Sequence, residues 1–136
     1  MFVWPSRVYY EDTDFSGVVY HANYLRYFER ARTEWLRALG GDAKTLMRDH
    51  GLAFAVRRME LDFLKPARMD DMVEVSVVPS LTKRVYFFLD QEARVGGEPI
   101  ARARVQVACI ACEGFAPRLI PDFLLARFGT ADLKNS

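Results

Sequence analysis

The chain has 136 residues, is 51% hydrophobic and 27% charged, and carries 19 Lys+Arg against 18 Asp+Glu for a formal net charge of +1. That composition suits one globular domain with a real core and argues against a disordered chain. So even a balance also argues against a protein whose main partner is nucleic acid, which takes a basic surplus. No apolar run approaches the roughly 20 residues of a membrane-spanning helix. The opening MFVWPSRVYYEDTD carries Pro and charges where a secretory leader would need an apolar centre. The expectation is a cytoplasmic protein without a transmembrane segment.

In chain order, residues 2–10 read as a first strand, rich in Phe, Val, Trp and Tyr. Residues 11–20, EDTDFSGVVY, form a turn-bearing loop in which Gly17 supplies a permissive backbone. From 22 to 39 the spacing of Tyr24, Phe28, Ala31, Trp35 and Ala38 predicts an amphipathic helix, with Asn23 as its cap and Gly40-Gly41 as its stop. Arg30, Glu34 and Arg37 stand at supportive helical spacings on the wet side. A short helix over 43–50, closed by Gly51, comes next.

The period then changes to two. Met59, Leu61 and Phe63 alternate with Arg58, Glu60 and Asp62; Val73, Val75 and Val77 alternate with Glu74 and Ser76. Residues 84–95 are rich in Val, Tyr and Phe, and Ala103, Val105, Val107 and Cys109 alternate with Arg102, Arg104 and Gln106. Four strands follow from this pattern, parted by turn signals at KPARMDD, PSLTK and VGGEP. The fold class is α+β: a largely antiparallel five-stranded sheet with one long helix, as a single domain over 1–136. One helix cannot cover such a sheet, so a homo-oligomer on a two-fold axis is expected.

Cys109 and Cys112 admit a redox pair or half a zinc site, but buried thiols in a strand is the preferred reading. Residues three apart on a straight strand face opposite ways, and only His21 and His50 could add imidazoles.

One stretch carries chemistry: YYEDTDFSGVVYHANY, Tyr9 to Tyr24, with three acids, a glycine and a histidine before the long helix. Free backbone N–H groups at a helix start can hold a developing oxyanion, and a carboxylate on a loop folding back can attack or activate water beside it. The segment is therefore a candidate for acyl transfer or hydrolysis. Spacing alone also fits a capped helix with a solvated acidic loop.

The run RVYYEDTDFSGVVYHANYLRYFERAR, with T-D-x-x-G-V-V-Y at its centre and FLKPARMDD downstream, resembles the 4-hydroxybenzoyl-CoA thioesterase family, most closely its Tol–Pal-associated acyl-CoA thioesterase branch (YbgC-like). The resemblance implies the hotdog fold, a curved antiparallel sheet around one long helix, and hydrolysis of acyl-CoA thioesters without metal or bound organic cofactor. It places Asp14 on the family's catalytic carboxylate and Gly17 on the glycine that lets the loop reach the helix. His21 falls where a backbone N–H polarises the thioester carbonyl, its side chain either orienting water or substrate or bonding to backbone. Asp12 reads as a loop-shaping acid and Glu11 as solvated.

Glu29 falls where aromatic-substrate members place an acid near the substrate, though an exposed helix acid is the preferred reading. Lys83 and Arg84 fall where CoA phosphates are met, against the plain alternative of surface cations. Arg57, Arg58, Arg102 and Arg104 share that ambiguity. An acyl carrier protein is a further expected partner. The competing functions are a hotdog dehydratase using His21 with Asp14, and a non-catalytic acyl-carrier or lipid-synthesis partner.

Overall fold

In the computed structural model, residues 1–128 are described; the tail 129–136, included in the single-domain expectation, lies outside the described residues. Five strands form one antiparallel sheet in the order β1-β3-β4-β5-β2. They are β1 (Phe2–Arg7), β2 (Leu52–Phe63), β3 (Met72–Thr82), β4 (Tyr86–Val95) and β5 (Glu98–Ala111). The helices are α1 (Tyr24–Ala38), α2 (Ala43–Thr45) and α3 (Asp122–Arg127). This is the hotdog arrangement the resemblance implies.

The period-2 residues of β3 to β5 sort as expected, whereas on the edge strand β2 Met59 and Leu61 are only half-buried and Phe63 is exposed. Val73, Val75, Val77, Phe87, Leu89, Val105 and Val107 are buried beneath α1, while Glu74, Asp90, Arg102 and Arg104 face outward. On α1, Tyr24, Phe28, Ala31 and Trp35 are buried; Tyr27 joins them, and Ala38 is only half-buried. Arg37 pairs with Glu34 at 3.3 Å, whereas Arg30 lies over the Tyr27 ring. Gly40 and Gly41 end the helix as expected. Gly40 adopts φ 83°, and a Cβ on Gly41 would come 2.8 Å from Leu124 Cδ2, so the glycine also seats α3.

Several boundaries differ from the sequence reading. The first strand stops at Arg7 rather than 10: Val8 N–H still donates to the Asp71 carbonyl, and a 3-10 turn, Tyr10–Asp12, then takes the chain out of the sheet. The long helix is entered through a 3-10 turn at His21–Asn23. Asn23 does not cap it: its own backbone is helical, and its side chain donates to the Asp12 carbonyl at 2.8 Å. The short helix over 43–50 divides into α2, capped by Asp42, and a π-helical turn at Leu46–His50. In PSLTK only Lys83 lies beyond β3, which continues through a register shift between Pro79 and Leu81. VGGEP is the expected hairpin: Gly96 and Gly97 take φ of 59° and 81°, the left-handed pair such a two-residue turn requires. Cys109 is buried in β5, but Cys112 lies past its end, half-buried; both are free thiols. Burial pushes the Cys109 thiol up to about 11.

Candidate active site

The loop between β1 and α1 folds back on itself. Thr13 bridges Val19, the Asp14 N–H donates to Val18 O at 2.9 Å, and the Gly17 N–H donates to Asp14 O at 3.1 Å. Gly17 turns the chain at φ 82° with open space where a Cβ would stand, so backbone conformation rather than crowding calls for glycine. A second layer holds this hairpin down. Val19 N–H donates to Ala67 O at 2.8 Å, Val18 bridges Arg68, and Ala67 N–H donates to the buried Tyr24 hydroxyl at 2.9 Å. The FLKPARMDD segment thus forms the bed of the loop, a role its sequence signalled only through the resemblance.

Asp14 is partly exposed near the tip. Its Oδ1 accepts from both the N–H and the hydroxyl of Ser16. The Ser16 hydroxyl, then the Ser16 N–H, hold the carboxyl below its ordinary 3.8. Both Ser16 bonds fall on Oδ1, and a backbone bond from Val18 adds weaker support to the charged carboxyl. Ser16 was not singled out from sequence; an Asx turn two residues on was the available signal.

His21 opens the 3-10 turn that leads into α1, so its N–H is one of those for which a helix start offers no internal acceptor. Its ring is exposed, 4.5 Å from Tyr20 and edge-on to Phe63 at 6.3 Å. It lines a cavity of about 250 Å³ with Val19, Tyr24, Phe63, Leu64 and Pro66, and Lys65 at the margin. Tyr24, assigned to the core by its helical spacing, is also a wall of this cavity. Asp14 is not among the lining residues; hydrogen bonds from Tyr20 N–H and Asn23 Nδ2 to Asp12 O join its loop to the His21 turn.

The other expected site residues lie elsewhere. Glu29 is exposed on α1 and lines a separate cavity of about 410 Å³ with Arg32, Leu36, Phe54 and Val107. Lys83 and Arg84 are exposed in the β3–β4 connection. β1 meets β3 at Arg7↔Met72, so the Asp14 loop leaves from the opposite end of β3, about 30 Å away at ~3.3 Å per strand residue. One chain therefore does not bring Lys83 or Arg84 to Asp14. Arg58 pairs with Glu60 and Arg102 with Glu92, at 3.4 and 2.8 Å, on the outer face of the sheet. Among the described residues no group of three or more His, Cys, Asp or Glu side chains is placed to hold a metal ion.

The sequence pattern of the Thioesterase-like superfamily matches residues 8–128. The chain is 40% identical over 127 residues to the acyl-CoA thioesterase YbgC of Haemophilus influenzae, with 93% of each chain covered. It is 40% identical over 129 residues to the acyl-CoA thioester hydrolase YbgC of Escherichia coli O6:H1, covering 94% of this chain and 96% of that one. Among solved structures it is similar to a probable thioesterase from Bartonella henselae, with a TM-score of 0.84 at 39% identity over 88% of this chain and 98% of that one. The match takes in sheet, long helix and site loop together, and the chain belongs to the Thioesterase-like superfamily.

Proposed function

We propose that this protein is an acyl-CoA thioester hydrolase in which Asp14 supplies the anion and the His21 N–H the polarising dipole. The observation that carries this reading is the hairpin itself. It holds a carboxylate whose Ser16 bonds fall on one oxygen on the same short loop as a helix-start N–H, and His21 lines a cavity walled largely by apolar side chains. With the thioester carbonyl oxygen on the His21 N–H, Asp14 Oδ2 either attacks the carbonyl carbon or takes a proton from an attacking water. The carbon–sulfur bond then breaks and CoA leaves as a thiolate that is subsequently protonated; the general-base route leaves the free acid directly, whereas direct attack leaves an acyl–Asp14 anhydride that a water hydrolyses to free acid and the Asp14 carboxylate. A thiolate is a good leaving group, so one anion and one aligned dipole suffice. Gly17 belongs to the substrate-facing turn, and Glu29 to a wall of the acyl-binding region between subunits. The chain acts as one domain, in the cytoplasm; among the described residues no helix is long and apolar enough to cross a membrane. An acyl carrier protein is a second candidate donor of the acyl group.

The working unit in this reading is a two-fold dimer or a tetramer. Among the described residues the sheet order ends at β1 on one side and β2 on the other, and β2 exposes Val56 and Phe63 at 48% and 50%. Lys83 and Arg84, remote from Asp14 of their own chain, meet CoA phosphates at a neighbouring subunit's site. Converting both to Ala is expected to raise KM for an acyl-CoA about fivefold, the scale of one exposed ion pair, with kcat within about twofold. The effect should shrink with added salt, because exposed charges are screened over ~10 Å at 0.1 M. A small neutral thioester should be indifferent to the change. Light scattering should give a multiple of the 15.6 kDa chain for wild type and variant alike. Equal losses on both thioesters, or a fully active monomer, would contradict the shared-site reading.

A further inference from the structure

Asp12 differs from the acids around it. It is 5% exposed, whereas Glu11 is exposed and Asp14 partly so. A buried carboxylate is costly unless its oxygens are bonded. Oδ2 of Asp12 accepts the Tyr9 N–H at 2.9 Å, which ties the residue to the end of the first strand's extension. Its carbonyl accepts twice, from the Tyr20 N–H at 3.1 Å and from Asn23 Nδ2 at 2.8 Å. The Tyr27 hydroxyl of α1 is buried in the same region; burial first, and Asp12 second, raise it above the ordinary phenol range.

These bonds run among Tyr9, Asp12, Tyr20 and Asn23, not to the Asp14 carboxylate or the His21 N–H. Their connectivity is what matters. Asp12 lies two residues before Asp14, Tyr20 one before His21 and Asn23 two after it. The two bonds on the Asp12 carbonyl therefore join the strand that carries the carboxylate to the turn that carries the polarising N–H, at the root of the hairpin. Farther out, the bonds of Asp14 N–H to Val18 O, Gly17 N–H to Asp14 O and Met69 N–H to Gly17 O hold the tip to itself and to its bed, not to the His21 turn.

We propose that Asn23 is a positioning residue whose amide, with the Tyr20 N–H, clamps the Asp12 backbone carbonyl and so fixes the separation of the Asp14 carboxylate from the His21 N–H. The proposal rests on the reading that these two groups do the chemistry. A misplacement of about 1 Å in a catalytic pair can cost ~10² in rate. Asn23→Ala removes one donor and nothing else of consequence. Asn23 already sits at φ −72°, ψ −18°, and Ala is the best helix former, so the fold is not penalised there.

The test measures kcat, KM and melting temperature for Asn23→Ala, Asp12→Asn and Asp14→Asn on one acyl-CoA. Asn23→Ala is expected to lower kcat ~10-fold or more, with KM within about twofold and the melting temperature within a few degrees of wild type. Asp12→Asn keeps an acceptor for the Tyr9 N–H and leaves the backbone carbonyl in place. It should stay within about threefold of wild-type kcat, which shows that geometry rather than charge is used. Asn23→Ala with wild-type kcat, beside an inactive Asp14→Asn, overturns the clamp alone. Asp12→Asn as inactive as Asp14→Asn, and still folded, overturns it in favour of a direct chemical role for Asp12. An active Asp14→Asn overturns the site reading beneath it, and the clamp with it.

Discussion

Asp14→Asn is expected to lower kcat by at least ~10², the lower end of what a positioned base or nucleophile contributes. The substitution keeps the side chain's shape and an acceptor for Ser16, so the Asx turn and the hairpin should persist. Circular dichroism and melting temperature should stay close to wild type. KM should change little, because the loss falls on an interaction made in the transition state. The pH profile is the second arm of the same experiment. Ser16 bonds stabilise the charged carboxyl, so Asp14 remains anionic at neutral pH and stays so to below its ordinary 3.8. The acid limb of kcat/KM for wild type should therefore lie below that value. Ser16→Ala removes the largest of the stabilising bonds and should move the limb upward. Near-full turnover by folded Asp14→Asn, or an acid limb that moves down in Ser16→Ala, would contradict the role given to Asp14.

Trp35→Ala is expected to cost about 3–5 kcal/mol of folding stability, the range for deleting a large buried aromatic side chain. Trp35 is 0% exposed, with Phe87 at 6.1 Å and Phe128 at 5.1 Å between ring centroids. It joins α1, β4 and the chain just past α3 in one cluster. Trp35→Phe should cost much less, ~1–2 kcal/mol. Among the described residues the Trp35 indole N–H is buried with no acceptor, so removing it forfeits no hydrogen bond. Denaturant unfolding of the two variants measures the difference. A Trp35→Ala protein destabilised by less than ~1 kcal/mol would place the core elsewhere.

The parts of this fold that could be read in advance are those governed by one local rule. Strict alternation in β3 and β5 reports a sheet with one buried face, because side chains there point alternately up and down. β2 was legible only from Arg58 onward. Its register shifts between Val56 and Arg58, which breaks the parity of the apolar residues before it. Tyr27 lies beside the stripe drawn through Tyr24, Phe28, Ala31 and Trp35, and is buried because the apolar face is wider than that single line of residues. Asn23 was misjudged for a different reason: local logic offers an Asn before a helix as a cap, but a carbonyl 11 residues upstream competes for its amide and wins. Helix α3 is six residues long and owes its place to Leu124 packing on Gly41, a contact across the chain that no local period announces.

The site shows the same division. Asp14, Gly17 and His21 could be put forward because a short contiguous motif carries them, and the hairpin that joins them is local. The cavity walls Phe63, Leu64 and Pro66 arrive from the far end of β2, and nothing in the Tyr9–Tyr24 segment specifies them. Glu29, Lys83 and Arg84 were drawn toward the site by resemblance, and within one chain they stand apart from it. Their inclusion depends on subunit packing.

The most direct measurement is product analysis of the wild-type protein on a panel of acyl-CoAs, following free thiol and identifying the acyl product. The account predicts free CoA and free acid in equal amounts, with repeated turnovers on at least one acyl chain. An unsaturated acyl-CoA without thiol release, or tight binding with no turnover across the panel, would contradict it.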